Sequence, residues 1–128
     1  MLRRGFLKGL LGLAGLPVAA GLAAKEPKRA LIQTSPVAGF QYHQGEKLWP
    51  QLCEGMPLEL MREAHNRHDQ RAVAIYCQGE QLGYLPRSEN QAVSTMLGSG
   101  LSLPAQISRL RLDANPWQRI KLKIYLEV

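Results

Sequence analysis

Alternation of apolar and polar positions is clearest at the end of the chain. In residues 119–128, RIKLKIYLEV, every second side chain is aliphatic, and most of the intervening ones are charged. Because successive side chains of a strand point to opposite faces, this segment predicts a half-buried β-strand. Weaker versions of the pattern predict five further strands, at residues 37–43, 57–63, 71–77, 82–86 and 104–112.

One segment has a helical period instead. Residues 88–97, SENQAVSTML, predict a helix with Ser88 as its N-cap and Gly98 at its end. Its apolar stripe is Ala92, Val93, Met96 and Leu97. Six short strands and one helix predict a mainly β (α+β) fold, a small six-stranded domain resembling a β-barrel.

The first 24 residues differ from the rest of the chain. Residues 3–8, RRGFLK, match the twin-arginine export pattern, and a glycine-diluted apolar stretch follows. Small residues at Ala23 and Ala24 suit cleavage at either position. The sequence therefore predicts a twin-arginine signal peptide at 1–24, export to the periplasm and no membrane span in the mature protein. A weak membrane anchor or a chance amphipathic helix is the alternative for this stretch.

Residues 25–36 are polar and contain two prolines, which predicts a tail or linker before a domain at 37–128. Removing residues 1–24 removes three of the 16 basic side chains and none of the ten acidic ones, so the formal net charge falls from +6 to +3. This charge permits an anionic partner without requiring one.

The chain contains two cysteines, Cys53 and Cys77. They could form a disulfide in an oxidising compartment. Alternatively, Cys77 could pack as a small buried hydrophobe in the strand at 71–77. The sequence leaves both possibilities open.

The loop at residues 64–70, AHNRHDQ, contains several side chains that could carry chemistry. His65, His68 and Asp69 could ligate zinc, but no CxxC or HExxH frame accompanies them. Asn66 and Asp69 could instead stabilise a turn by accepting hydrogen bonds from backbone N–H groups. No cofactor is predicted, and zinc is kept as an alternative.

Motifs of catalysis are missing from the sequence. It has no nucleophile elbow, no SxxK pattern and no GxxxxGK[ST] phosphate loop. Cys53 has no supporting motif, and Cys77 is predicted to face inward. The protein is therefore predicted not to be an enzyme, with a small hydrolytic protein using His65, His68 and Asp69 as the remaining alternative.

Four segments together resemble the HIRAN domain: VAGFQYHQG, LELMREAHNRHDQRAVAIY, LGYLPRSENQAVSTMLGSG and IKLKIYL. The resemblance extends over about residues 37–128. Its most specific part is the spacing Leu60-x-Arg62-Glu63-x-x-Asn66-x-x-Asp69-x-x-Ala72-Val73, followed by Leu82-Gly83-Tyr84-Leu85-Pro86.

HIRAN domains are small modules that resemble β-barrels, occur in DNA-repair remodellers and also occur alone in bacterial proteins. The DNA-binding members hold single-stranded DNA at a free 3′ end. The resemblance therefore implies a non-enzymatic module that binds single-stranded nucleic acid. An exported module that binds a protein or another anion on the same face is the alternative, and a monomer is predicted in either case.

The resemblance also implies which residues would bind. Carried over by position, they are Gln41, Tyr42, Asn66, His68, Asp69, Tyr84 and Arg87. Tyr42 and His68 would offer surfaces on which bases stack. Asp69 would accept a hydrogen bond from a terminal hydroxyl, and Arg87 would neutralise phosphate. Gln41 stands where DNA-binding relatives have arginine, and His68 where they have a larger aromatic.

Overall fold

One antiparallel sheet dominates the computed structural model, which describes residues 28–128. Its strands follow the order β1-β6-β5-β2-β3-β4 across the sheet. They are β1 (Arg29–Pro36), β2 (Pro57–Arg62), β3 (Val73–Cys77), β4 (Glu80–Tyr84), β5 (Ala105–Leu110) and β6 (Ile120–Glu127). Helix α1 (Gly45–Leu48) is a single turn, and α2 (Gln91–Gly98) is the longer helix. The predicted mainly β fold is confirmed.

The core lies against the inner face of the curled sheet. Ile120, Leu122 and Ile124 of β6 are buried there, as their alternation predicts. Phe40 and Val93 close the core from outside the strands. Within residues 28–128, no helix is long and apolar enough to cross a membrane. The predicted signal peptide at 1–24 lies outside the described residues.

The sheet is not closed into a barrel. Its two edges are β1 and β4, and one isolated bridge joins the residues after β1 to β4, between Ala38 and Tyr84. Reciprocal backbone hydrogen bonds of 2.8 and 2.9 Å hold this bridge. Gly83 permits the close approach, because a Cβ there would collide with the carbonyl oxygen of Ala38 and lie 2.8 Å from a Val37 methyl. The incomplete closure produces the barrel-like shape.

Two predictions for the start of the domain are wrong. The segment 25–36 is predicted to be a tail or linker, but Arg29–Pro36 pairs with β6 along its length. A bulge between Leu31 and Gln33 interrupts its alternation and conceals the strand in the sequence. The strand predicted at 37–43 is instead a 3₁₀ turn over Phe40–Tyr42, because Gly39 adopts a left-handed conformation with φ of 73°.

The helix begins later than predicted. Arg87–Glu89 forms a 3₁₀ turn, and Asn90 occupies the N-cap position in place of Ser88. The buried face of α2 contains Ser94, whereas Ala92 of the predicted stripe is exposed. Ser94 is accommodated there because its Oγ accepts a hydrogen bond of 3.1 Å from Arg62 Nε.

Both cysteines are free thiols in this structure, with Cys53 exposed and Cys77 buried. The Sγ atom of Cys77 lies 3.3 Å from Sδ of Met56. Burial raises the pKa of the Cys77 thiol, so the neutral form is favoured. The prediction that Cys77 faces inward is confirmed.

Candidate functional site

A cleft of about 590 Å³ opens where the two edges of the sheet meet. Its walls come from the turn after β1, the β2–β3 loop, the end of β4 with the following turn, and the β5–β6 connection. Six of the seven predicted binding residues line it: Tyr42, Asn66, His68, Asp69, Tyr84 and Arg87. Gln41 is exposed but is not part of the lining.

Asn66 organises the β2–β3 loop. Its Oδ1 accepts hydrogen bonds from the backbone N–H groups of His68 and Asp69, at 2.8 and 3.1 Å. Its Nδ2 donates to Oε1 of Glu63 at 3.0 Å. An Asx turn of this kind holds the loop without help from a ligand. The predicted role of Asn66 in stabilising a turn is confirmed.

Asp69 lies at the base of this loop with a side chain that is only 10% exposed. Its Oδ1 accepts from the backbone N–H of Arg71 at 2.9 Å, and its Oδ2 accepts from Nδ2 of Asn90 at 2.8 Å. The Arg71 hydrogen bond is the largest cause that lowers the pKa of Asp69, with Asn90 and the charge of Arg87 assisting. Asp69 is therefore a carboxylate at neutral pH.

Arg87 closes the cleft on the side of the turn after β4. Its Nη2 donates to the backbone carbonyl of His68 at 3.1 Å, and its Nε lies 3.8 Å from Oδ2 of Asp69. The guanidinium is nevertheless largely exposed. Since Arg has five N–H donors, several remain for an anionic ligand.

Tyr84 forms a fixed wall of the cleft. Its hydroxyl donates to Oε1 of Glu63 at 2.8 Å, and its ring packs edge-to-face with that of His43 at a centroid separation of 5.4 Å. Burial raises the pKa of Tyr84, so the hydroxyl stays protonated and keeps this hydrogen bond.

Exposed rings stand at the rim. Tyr42 is 80% exposed and Trp117 is 43% exposed, and His68 is exposed on the opposing loop. Sequence reasoning missed Trp117, which the Asn115 side chain positions by accepting from its backbone N–H at 3.1 Å. An exposed tryptophan in a loop between two strands is the signal that could have found it.

The described residues contain no group of three or more His, Cys, Asp or Glu side chains placed to hold a metal ion. Of the candidates His65, His68 and Asp69, the last two line the cleft and His65 does not. The carboxylate of Asp69 is bonded to Asn90 and the Arg71 backbone instead. The loop thus does not assemble the zinc ligand set considered from the sequence.

The HIRAN domain family model matches residues 32–128. The chain belongs to the HIRAN family. The match begins within β1, which agrees with the inclusion of this strand in the sheet. HIRAN domains are known in nucleic-acid binding and are typically binding modules rather than catalysts.

Two solved structures resemble this HIRAN domain. A protein from Lactobacillus plantarum is 25% identical, with a TM-score of 0.70, and the match covers 80% of this chain and 98% of that one. The HIRAN domain of human HLTF is 17% identical, with a TM-score of 0.61 and coverage of 77% and 78%. The second similarity concerns the fold alone. Among curated proteins, no significant match was found.

Proposed function

We propose that this HIRAN domain binds single-stranded nucleic acid by a free 3′ end held in the cleft. The observation that carries the proposal is the convergence of exposed rings, a carboxylate and an arginine in one cleft. Tyr42, His68 and Trp117 offer flat surfaces for unstacked bases, and such stacking contributes about 1–3 kcal/mol per base. Arg87 would bind the adjacent phosphate.

The buried carboxylate supports selection of a strand end. A carboxylate has about four lone-pair positions, and Asp69 uses two of them for hydrogen bonds to Arg71 N and Asn90 Nδ2. A 3′-hydroxyl could donate to one of the remaining positions. An ionised 3′-phosphate has no hydroxyl to donate to Asp69 and would bring further negative charge close to that carboxylate, so it should bind less tightly. The cleft is therefore expected to discriminate between these two ends.

End selectivity is the direct test. We expect a labelled single strand with a 3′-hydroxyl to bind at least about tenfold more tightly than the same strand with a 3′-phosphate, a difference of about 1.4 kcal/mol. Fluorescence anisotropy at low salt measures both affinities, since phosphate contacts are strongest there. Replacing Tyr42 and Trp117 together with alanine should weaken binding of both strands, whereas Lys47→Ala, outside the cleft, should not.

Two outcomes would contradict the proposal. Equal affinity for the two ends would show that Asp69 does not read the terminus. Failure of any single strand to bind at low salt would reject nucleic acid as the ligand and favour a protein partner on the same surface.

The signal predicted at residues 1–24 gives a separate prediction, which is that the protein is exported. We expect the full chain to appear in the periplasm of a bacterial host that has the twin-arginine pathway. Replacing Arg3 and Arg4 together with lysine should abolish transport, because the paired arginines are the address that this pathway reads. Fractionation followed by immunoblotting measures the amount of the protein in the periplasm. Unchanged periplasmic protein in the double variant would show that export uses another route, and absence of the wild-type chain from the periplasm would show that the segment is not an export signal.

A further inference from the structure

Three basic side chains lie side by side on the outer face of the sheet. We call Arg109 of β5 with Lys121 and Lys123 of β6 the basic stripe. Arg109 is directly opposite Lys121 in the strand register, and Lys123 is opposite Gln106. All three side chains are partly exposed.

A β-bulge creates this arrangement. The register of β5 with β6 shifts between Ile107 and Arg109, so that Ser108 is the extra residue. Ile107 faces the core, and uninterrupted alternation would turn Arg109 inward as well. The bulge instead places Arg109 on the outer face beside Lys121, as bulges that redirect a side chain do.

The protein does not neutralise the stripe. None of the ion pairs among residues 28–128 includes Arg109, Lys121 or Lys123. Within the same residues, Nε of Arg109 is buried and has no hydrogen-bond partner. Glu54, in the loop before β2, accepts a hydrogen bond from the backbone N–H of Leu110 at the end of β5 instead. Like charges directly opposite each other destabilise a sheet, so this placement costs stability unless an anion compensates it.

The stripe begins next to the cleft. Lys121 is opposite Pro36, two residues before Ala38, and follows Trp117 by four residues; both Ala38 and Trp117 line the cleft. Lys123 lies about 7 Å farther along β6. A strand that leaves the cleft at this side would therefore pass over Lys121 with Arg109 beside it and then over Lys123.

We propose that the basic stripe binds the phosphate backbone of the nucleic acid whose 3′ end occupies the cleft. This inference rests on the proposed function, and it assigns to the stripe the nucleotides on the 5′ side of the bound end. The stripe reads no sequence, because its side chains contact phosphates rather than bases. If the stripe binds these phosphates, affinity should increase with strand length beyond the nucleotides held in the cleft.

The test compares two strand lengths on two matched variants. Single strands of about four and about 12 nucleotides with free 3′-hydroxyls are titrated against wild type, Lys121→Gln/Lys123→Gln, and the control Lys28→Gln/Lys47→Gln. Wild type and control should bind the longer strand about tenfold more tightly than the shorter one. The stripe variant should bind the short strand normally and lose that gain. Its salt slope on the long strand should fall by about 1.4, or 0.7 for each of two lost phosphate contacts.

The outcomes separate this inference from the proposed function. If the stripe variant retains the gain with length, or if the control loses it equally, the inference is overturned while binding in the cleft stands. If end selectivity is absent but the gain depends on the stripe, the proposed function fails and the stripe remains a phosphate-binding surface. If the stripe binds anionic phosphatidylglycerol vesicles and adds nothing to strand affinity, its partner is a membrane and the inference is wrong.

Discussion

Replacing Gly83 with alanine is expected to lower the free energy of unfolding by about 3 kcal/mol and to abolish binding in the cleft. The new Cβ would collide with the carbonyl oxygen of Ala38 and press on the side chain of Val37. Backbone atoms cannot move aside as a flexible side chain can, so the Ala38–Tyr84 bridge should break. Its two hydrogen bonds join the two edges of the sheet directly at the cleft.

Chemical denaturation and the strand-end titration measure the two effects, and Gly55→Ala is the matched control. Gly55 has a left-handed φ of 89°, but a Cβ at this position would meet no atom of residues 28–128 within 4 Å. Its replacement therefore carries only the conformational cost of about 1 kcal/mol. Gly55→Ala should bind as wild type does. Equal destabilisation of the two variants, with binding retained in Gly83→Ala, would mean that the bridge does not build the cleft.

Asp69→Ala is expected to have the second largest effect, a loss of about 2–3 kcal/mol in the free energy of unfolding together with loss of end selectivity. Asn90 is fully buried, and its Oδ1 already has no hydrogen-bond partner among the described residues. Removing the Asp69 carboxylate would leave its Nδ2 unpaired as well. An unsatisfied buried polar group costs about 1–3 kcal/mol, and the loop would also lose the Arg71 hydrogen bond.

The control for this variant is Asp113→Ala, since Asp113 is the other aspartate of the chain and pairs with Arg111 at the surface. Surface ion pairs contribute about 0–1 kcal/mol, and the hydrogen bond that Asp113 Oδ1 accepts from the Asn115 N–H is exposed, so water can replace it. Asp113→Ala should therefore change stability little. Similar losses for the two variants in a urea titration would contradict the role assigned to Asp69.

Because the pKa of Asp69 is lowered in the folded protein, the free energy of unfolding depends on pH. The folded pKa lies below the unfolded value of about 3.9, so the stabilisation is fully present above that value and is lost as the pH falls through the folded pKa. The difference in unfolding free energy between wild type and Asp69→Asn should therefore shrink as the pH falls from about 5 through the unfolded value of about 3.9 and then through the lower folded pKa. A difference that stays constant over this range would show that the charge of Asp69 does not stabilise the fold.

Much of the site is accessible to local reasoning. Asn66 and Asp69 are predicted to stabilise a turn, and their side chains accept hydrogen bonds from backbone N–H groups two or three residues away. Interactions of this range depend on spacing in the sequence alone. Trp117 is missed because its place at the rim depends on how the β5–β6 connection meets segments that lie more than about 25 residues earlier in the chain.

The sequence by itself determined the elements whose faces differ in polarity. β6 and β2 could be predicted from it because burial of one face requires alternation along the strand, and β3 because it is a short continuous apolar run. The residues that carry the HIRAN pattern, and those that make up the β2–β3 loop, could also be identified from the sequence.

Only the tertiary structure decided which segments form the edges of the sheet and how those edges meet. The pairing of β1 with β6 and the bridge between Ala38 and Tyr84 join segments that are far apart in the chain, and a bulge in β1 removes the periodic signal. The same holds for the basic stripe, since the bulge at Ser108 turns Arg109 toward Lys121. Hydrogen bonds between distant backbone groups leave no trace in the spacing of side chains, and it is these bonds that form the cleft and align the stripe with it.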